Sequence, residues 1–188
     1  MKVLLVDFED SFTFNILGEL KTLNITCEVI HWTDFHSELS FDLLILGPGP
    51  GHPHDYTPIF NDVRKVLEEG RNVWGICLGH QLIWNLEEAL VTRSKYPMHG
   101  QQVTLALDEF WSGFFEMKQL TVQRYNSLAV LEHSVNSEAE LLSFDNEVMM
   151  SLKPGVLGCQ FHPESLGTKH RHKIFQAVIR YFQSRLDS

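Results

Sequence analysis

Cysteine is scarce in this chain. The 188 residues contain three, Cys27, Cys77 and Cys159, with no CxxC pair and no metal-ligand spacing. A disulfide scaffold is therefore not expected, a reducing cytoplasm is the expected compartment, and no metal or other cofactor is expected. Long apolar runs are missing too. None approaches the roughly 20 residues that a membrane span needs. The opening "MKVLLVDFED" carries only the short apolar run Val3 to Val6, too little for a signal peptide. Basic charge is also in short supply: 15 Lys and Arg stand against 24 Asp and Glu, a formal net charge of -9. That balance argues against nucleic acid or an anionic membrane as the main partner. The one basic cluster, "TKHRHK" (168–173), opens an apparent helix and reads as a solvated face. Repeats, low-complexity tracts and linkers are absent, so residues 1–188 are expected to form one domain around a single core.

What the sequence does contain is a rhythm. "KVLLVD" (2–7), "TCEVIHW" (26–32), "FDLLILG" (41–47) and "NVWGI" (72–76) are short runs of the kind buried in strands. Between them, Phe12, Ile16, Leu20 and Leu23 make one helical stripe, with Asp10 or Ser11 available as N-cap, and Ile59, Val63, Val66 and Leu67 make another. Alternating strands and helices predict βαβ units and a mostly parallel sheet with helices on both faces. After residue 100 the pattern changes: "QQVTLAL", "LTVQRY", "AELLSF", "EVMMSL" and "GVLGCQF" are strand-like runs joined by turns, which predicts antiparallel additions. Ile174, Phe175, Val178, Ile179, Phe182 and Leu186 then mark the apolar face of a closing helix.

Within "VWGICLGHQ", Gly75-Ile76-Cys77-Leu78-Gly79 has the G-x-nucleophile-x-G form. In such an elbow a strand turns at once into a helix, and small neighbours leave room for a strained nucleophile. The sulfur then faces the crevice beyond the strand ends, at a helix N-terminus that favours thiolate. A buried structural cysteine is the competing interpretation, and it is the better one for Cys27 and Cys159, which lie inside strand-like runs. A thiolate needs a base, and the base an orienting group. "GCQFHPES" (158–165) delivers His162 at the end of a strand-like run, with Glu164 able to turn back onto the imidazole. An exposed loop histidine beside an unrelated glutamate is equally compatible with that spacing. "LGPGPGHP" (46–53) is a stiff loop of bare backbone N–H groups, suited to an oxyanion hole together with the N–H of Leu78. A phosphate cradle or a plain turn is the alternative, but no Walker lysine or GxGxxG follows.

Taken together, "GICLGHQ", "GPGPG" and "QFHPES" resemble the class I, triad-type glutamine amidotransferases. "VDFEDSFTFN" (6–15) and "RYNSL" (124–128) resemble the subset serving chorismate, the amidotransferase components of anthranilate synthase and 4-amino-4-deoxychorismate synthase. The blocks follow the family's order from residue 6 to 165. The resemblance implies a flavodoxin-like three-layer α/β/α fold, with a mostly parallel central sheet and antiparallel additions in the C-terminal half. It implies a Cys77–His162–Glu164 triad that hydrolyses the side-chain amide of L-glutamine, with Gly49 and Leu78 N–H groups as oxyanion hole. Glutamine would be held by Gly49, Pro50, Gly51, Gln81, Ser127 and Leu128. The ammonia would pass to a chorismate-binding synthase partner, with Ser11-Phe12-Thr13 and Met98-His99-Gly100 toward it. The chain departs from the family pattern at Asn126, where His is usual, at Gln101, where Lys is usual, and in "NLEEALV" (85–91), which lacks a Gly-Gly pair. Other classes compatible with the residues are an amidotransferase for another acceptor, a stand-alone γ-glutamyl thiol hydrolase and a non-catalytic module.

Overall fold

The computed structural model describes residues 1–135 and 138–187. Its strands are β1 (Lys2–Asp7), β2 (Thr26–His31), β3 (Leu43–Leu46), β4 (Val73–Ile76), β5 (Val91–Arg93), β6 (Gln101–Ala106), β7 (Gln119–Arg124), β8 (Leu128–Val130), β9 (Glu140–Phe144), β10 (Glu147–Lys153) and β11 (Val156–Cys159). Its helices are α1 (Thr13–Thr22), α2 (Phe60–Glu68), α3 (Leu78–Leu86), α4 (Glu109–Phe115) and α5 (Arg171–Leu186). Seven strands form the central sheet in the order β2-β1-β3-β4-β11-β10-β9. The first five run parallel, and β10 and β9 extend the sheet antiparallel.

Alternation along the buried strands divides the core into two layers. Val3, Leu5, Leu43 and Ile45 face the side covered by α1, α4 and α5, against Ile16, Leu20, Trp111, Phe175 and Phe182. Leu4, Val6, Leu44 and Leu46 face the other side, against Val63 and Val66 of α2 and Leu78 and Leu82 of α3. Period-two strands and period-3.6 helices thus give three layers, α/β/α. Each fully buried Leu, Ile or Phe contributes roughly 1.5–3 kcal/mol of transfer free energy to holding them together.

Four sequence expectations need correction. The run "GVLGCQF" does not join the antiparallel group: β11 inserts parallel beside β4, with Ile76 opposite Cys159. β6 and β7 pair with each other, as do β5 and β8, in two small sheets separate from the central one. The side chain of neither Asp10 nor Ser11 caps α1; Phe12 occupies the cap position, while Asp10 Oδ1 accepts the Phe12 N–H at 2.8 Å. Asp7 Oδ1 organises this loop by accepting from Glu9 N, Asp10 N and Thr13 Oγ1. Leu186, which the apolar pattern places on the buried face of α5, is exposed in its last turn. The basic cluster is largely solvated, with Arg171 and His172 paired to Glu19 of α1, although Thr168 is buried.

Candidate active site

β4 ends at Ile76 and α3 begins at Leu78, leaving Cys77 alone in the turn with φ 52° and ψ -103°. A non-glycine residue held there carries strain of about 1–3 kcal/mol, maintained by its surroundings. Those surroundings are the flanking glycines. A Cβ on Gly79 would lie 2.0 Å from the Leu46 carbonyl oxygen, and one on Gly75 would lie 2.7 Å from Gly79 backbone. Only glycine lets α3 sit directly on β3, and that close approach fixes the turn. The result is a cysteine at the positive end of a helix dipole, above the carboxyl edge of the sheet.

The loop 47–53 follows β3 along the same edge. Gly47 O accepts the Gly79 N–H at 3.2 Å, tying loop to elbow. A Cβ on Gly49 would approach Phe8 Cβ at 2.5 Å and Leu78 Cδ2 at 2.6 Å, so the bare backbone at 49 is packed against the start of α3. Gly49, Pro50, Gly51, Cys77, Gln81, Ser127 and Leu128 share the wall of a cavity of about 120 Å³, to which Tyr125 and Asn126 also contribute. Leu78 follows Cys77 as the first residue of α3, with its side chain in the core.

Beyond β11 the chain bends at Gln160 and Phe161 and reaches His162, which bridges to Gln123 near the end of β7. The His162 N–H donates to Gln123 O at 3.0 Å, and Thr168 Oγ1 donates to His162 O at 2.6 Å. The HPES loop is therefore pinned at both faces. Glu164 Oε1 lies 2.7 Å from His162 Nδ1, with both residues buried. Burial alone would lower the imidazole's proton affinity. The negative charges facing the ring from Cys77 and from Glu164, whose carboxylate is hydrogen-bonded to Nδ1, outweigh it and hold His162 well above the usual histidine range. His162 also borders a second cavity, of about 450 Å³, with Glu9, Asp10, Ser11, Phe12, Gly49, Pro50, Cys77, His99 and Tyr125. Phe12 and Tyr125 pack on the imidazole at ring-centroid distances of 4.9 and 5.2 Å. Cys77 thus stands on the wall common to both cavities.

All the catalytic, oxyanion-hole and glutamine-binding residues expected at the site except Leu78 and Glu164 line one or both of these cavities; Glu164 reaches them through its bond to His162 and also borders a separate cavity beside α1. Gln81 is buried rather than on the surface, and its amide donates to Leu128 O and to Gln160 Oε1, both at 3.0 Å. Sequence reasoning missed Gln160, whose Nε2 lies 3.7 Å from Cys77 Sγ, and Tyr125. Gln160 had a visible signal: a lone amide in a strand-like run that is otherwise apolar. Tyr125 had none, because an aromatic between polar residues is ordinary. Cys159 is buried in the core as expected, whereas Cys27 is only half-buried. Burial, reinforced by Glu164, pushes the Cys159 thiol well above its usual range. Burial and the neighbouring Glu28 push Cys27 up to about 11. Among the described residues no cluster suits a metal ion, and no helix is long and apolar enough to cross a membrane.

Residues 4–181 match the glutamine amidotransferase class-I family, and the chain belongs to that family of amidotransferase enzymes. Anthranilate synthase component 2 from Thermococcus kodakarensis is 36% identical over 186 residues, covering 96% of both chains. Aminodeoxychorismate synthase from Streptomyces griseus is 41% identical over 185 residues, covering 93% of this chain but 25% of that protein. The chain therefore spans about a quarter of the length of that relative and nearly all of the component 2 relative. Among solved structures, a GMP synthase subunit protein from Thermoplasma acidophilum superposes with a TM-score of 0.86 at 21% identity, covering 100% of this chain and 96% of that one. A glutamine amidotransferase from Thermotoga maritima gives 0.69 at 19% identity, covering 100% and 84%. At these identities the two structures support the fold, which is the expected class I architecture.

Proposed function

We propose that the chain, as one amidotransferase domain, is a glutaminase subunit that hydrolyses L-glutamine through Cys77, His162 and Glu164. The ammonia goes to a chorismate-binding synthase partner, in the cytoplasm, for anthranilate or 4-amino-4-deoxychorismate synthesis. The observation that carries this reading is the position of Cys77 between two cavities. One is lined by the positions at which the family holds glutamine, and the other reaches His162.

In this mechanism the Cys77 thiolate attacks the side-chain amide carbon of glutamine, and the N–H groups of Gly49 and Leu78 receive the developing oxyanion. Collapse of the tetrahedral species breaks the C–N bond, and His162 gives its proton to the departing ammonia. Water then loses a proton to His162 and attacks the γ-glutamyl thioester, releasing glutamate and restoring the thiolate. Glu164 orients the imidazole and stabilises its charge throughout. Both amide hydrogens of Gln81 are used by protein acceptors, so toward substrate it offers its oxygen, an acceptor suited to the glutamine ammonium group. The second cavity, with Ser11, Phe12 and His99 on its wall, is the side from which the partner takes ammonia. The relatives named component 2 and aminodeoxychorismate synthase support the choice of acceptor.

The test uses the chain with its co-purifying synthase. Cys77→Ser should abolish glutamine-dependent amination of chorismate while synthesis from ammonium salts continues. Loss of both activities in an assembled complex would overturn the division of labour.

A further inference from the structure

Beside the glutamine cavity lies a buried ion pair that the chemistry above does not use. Arg124, the last residue of β7, and Glu147, the first of β10, are 1% and 2% exposed, and Arg124 Nη2 donates to Glu147 Oε2 at 2.6 Å. Charges this buried are destabilising unless their geometry is fully satisfied. Here both groups carry further bonds. Glu147 Oε1 accepts from Ser94 Oγ at 2.5 Å and from Lys95 N at 3.1 Å. Arg124 Nε donates to Asn126 Oδ1 at 3.0 Å, and Asn126 Nδ2 donates to Leu128 O at 2.8 Å. The same Leu128 carbonyl accepts from Gln81, whose other bond leads through Gln160 to the Cys77 sulfur.

We infer that Glu147, Arg124 and Asn126 form a positioning device for glutamine binding, fixing the segment 126–128 against the cavity. The inference rests on the reading of that cavity as the glutamine site. The carbonyls of Arg124, Asn126 and Ser127 accept from Gly100 N, Met98 N and Ser94 N, and Leu128 O takes the two side-chain bonds. With these carbonyls committed to the protein, the exposed Ser127 on the cavity wall offers its hydroxyl, a donor that suits a carboxylate. Asn126 is the hinge of this arrangement. Its amide is two-ended, so one side chain connects the guanidinium to the Leu128 carbonyl, and its orientation is set by the charge behind it. None of the three residues needs to touch the reacting carbon; they act through Leu128 and Gln81.

The test measures inactivation of the purified chain by a glutamine analogue carrying a diazoketone, as a function of analogue concentration, beside alkylation by iodoacetamide. Asn126→Ala should raise the half-saturating analogue concentration about three- to tenfold, the worth of one or two hydrogen bonds. The inactivation rate at saturation and the iodoacetamide rate should stay within about twofold, because the Cys77–His162 geometry is untouched. Arg124→Lys, which keeps the charge but lacks the fork that reaches Asn126, should shift half-saturation in the same direction by a smaller factor, and it serves if the alanine variant does not fold. Unchanged half-saturation in both variants would overturn the proposal. So would a parallel fall of the saturating rate and the iodoacetamide rate, which marks a general structural role. Failure of the unsubstituted chain to be labelled would instead remove the glutamine reading on which the device depends.

Discussion

Cys77 follows β4 and Cys159 ends the neighbouring β11, and the Cys77 N–H donates to the Cys159 carbonyl at 2.8 Å. Ile76, one residue before Cys77, is the register partner of Cys159. Yet the two sulfurs have different surroundings. Cys159 is the last residue of β11, its side chain lies among Trp74 and other core groups, and burial pushes its thiol well above the usual range. At Cys77 the chain turns into α3 with a positive φ, which carries the sulfur to the meeting point of two cavities and to His162. Residue type and depth in the sheet are nearly the same; the backbone at one position separates a thiol that lines two cavities from one enclosed in the core. Glu164 shows the same duality. Its charge adds to burial in raising Cys159 and joins Cys77 in raising His162.

Removing that charge should have the largest effect. In Glu164→Gln, glutaminase turnover should fall by a factor on the order of 10²–10⁴, because the imidazole loses its orienting acceptor and its electrostatic support. The folded-state value of His162 is raised, so the stability from its protonated form is fully present below the unfolded value of about 6.5 and is lost as pH rises through the folded value. The stability gap between the unsubstituted chain and the Glu164→Gln variant should thus be widest in the mildly acidic range, above the carboxylate titration. It should narrow toward alkaline pH in denaturant titrations. A gap independent of pH would mean that Glu164 does not support the cationic histidine.

A smaller effect comes from the elbow itself. Gly79→Ala drives a methyl against the Leu46 carbonyl, a backbone atom with no way to yield. The cost should be about 2–4 kcal/mol, read as a drop in Tm of roughly 5–15 °C by calorimetry. Gly18→Ala, in α1 with open space around the new methyl, should change stability by no more than about 1 kcal/mol, and in the stabilising direction. Similar losses at both glycines would break the link between close packing and the exposed thiol.

How far the sequence reaches follows the same division between local and assembled features. The parallel strands, the elbow and the closing helix are legible because each is written in a contiguous pattern of apolar residues and glycines. The position of β11 is not, since nothing in "GVLGCQF" says that it inserts beside β4 rather than continuing the antiparallel series. Phe12 fits the apolar stripe of α1 by spacing, yet its ring lies on His162, because the Asp7-centred loop delays the helix until Thr13. The His162–Glu164 contact is local and within reach of spacing, but the arrival of His162 beside Cys77 depends on that β4–β11 pairing. The buried Arg124–Glu147 pair joins residues far apart in sequence, and in "VQRYN" and "DNEVM" each reads as an ordinary surface charge.

The central claim is that one cysteine of three is the nucleophile toward glutamine. Treating the chain with the diazoketone glutamine analogue and mapping the modified peptide by mass spectrometry tests it directly. The account predicts a single adduct on Cys77, suppressed by excess L-glutamine, with Cys27 and Cys159 unmodified. An adduct mainly on Cys159 or Cys27, or labelling of Cys77 that glutamine does not protect, would contradict it.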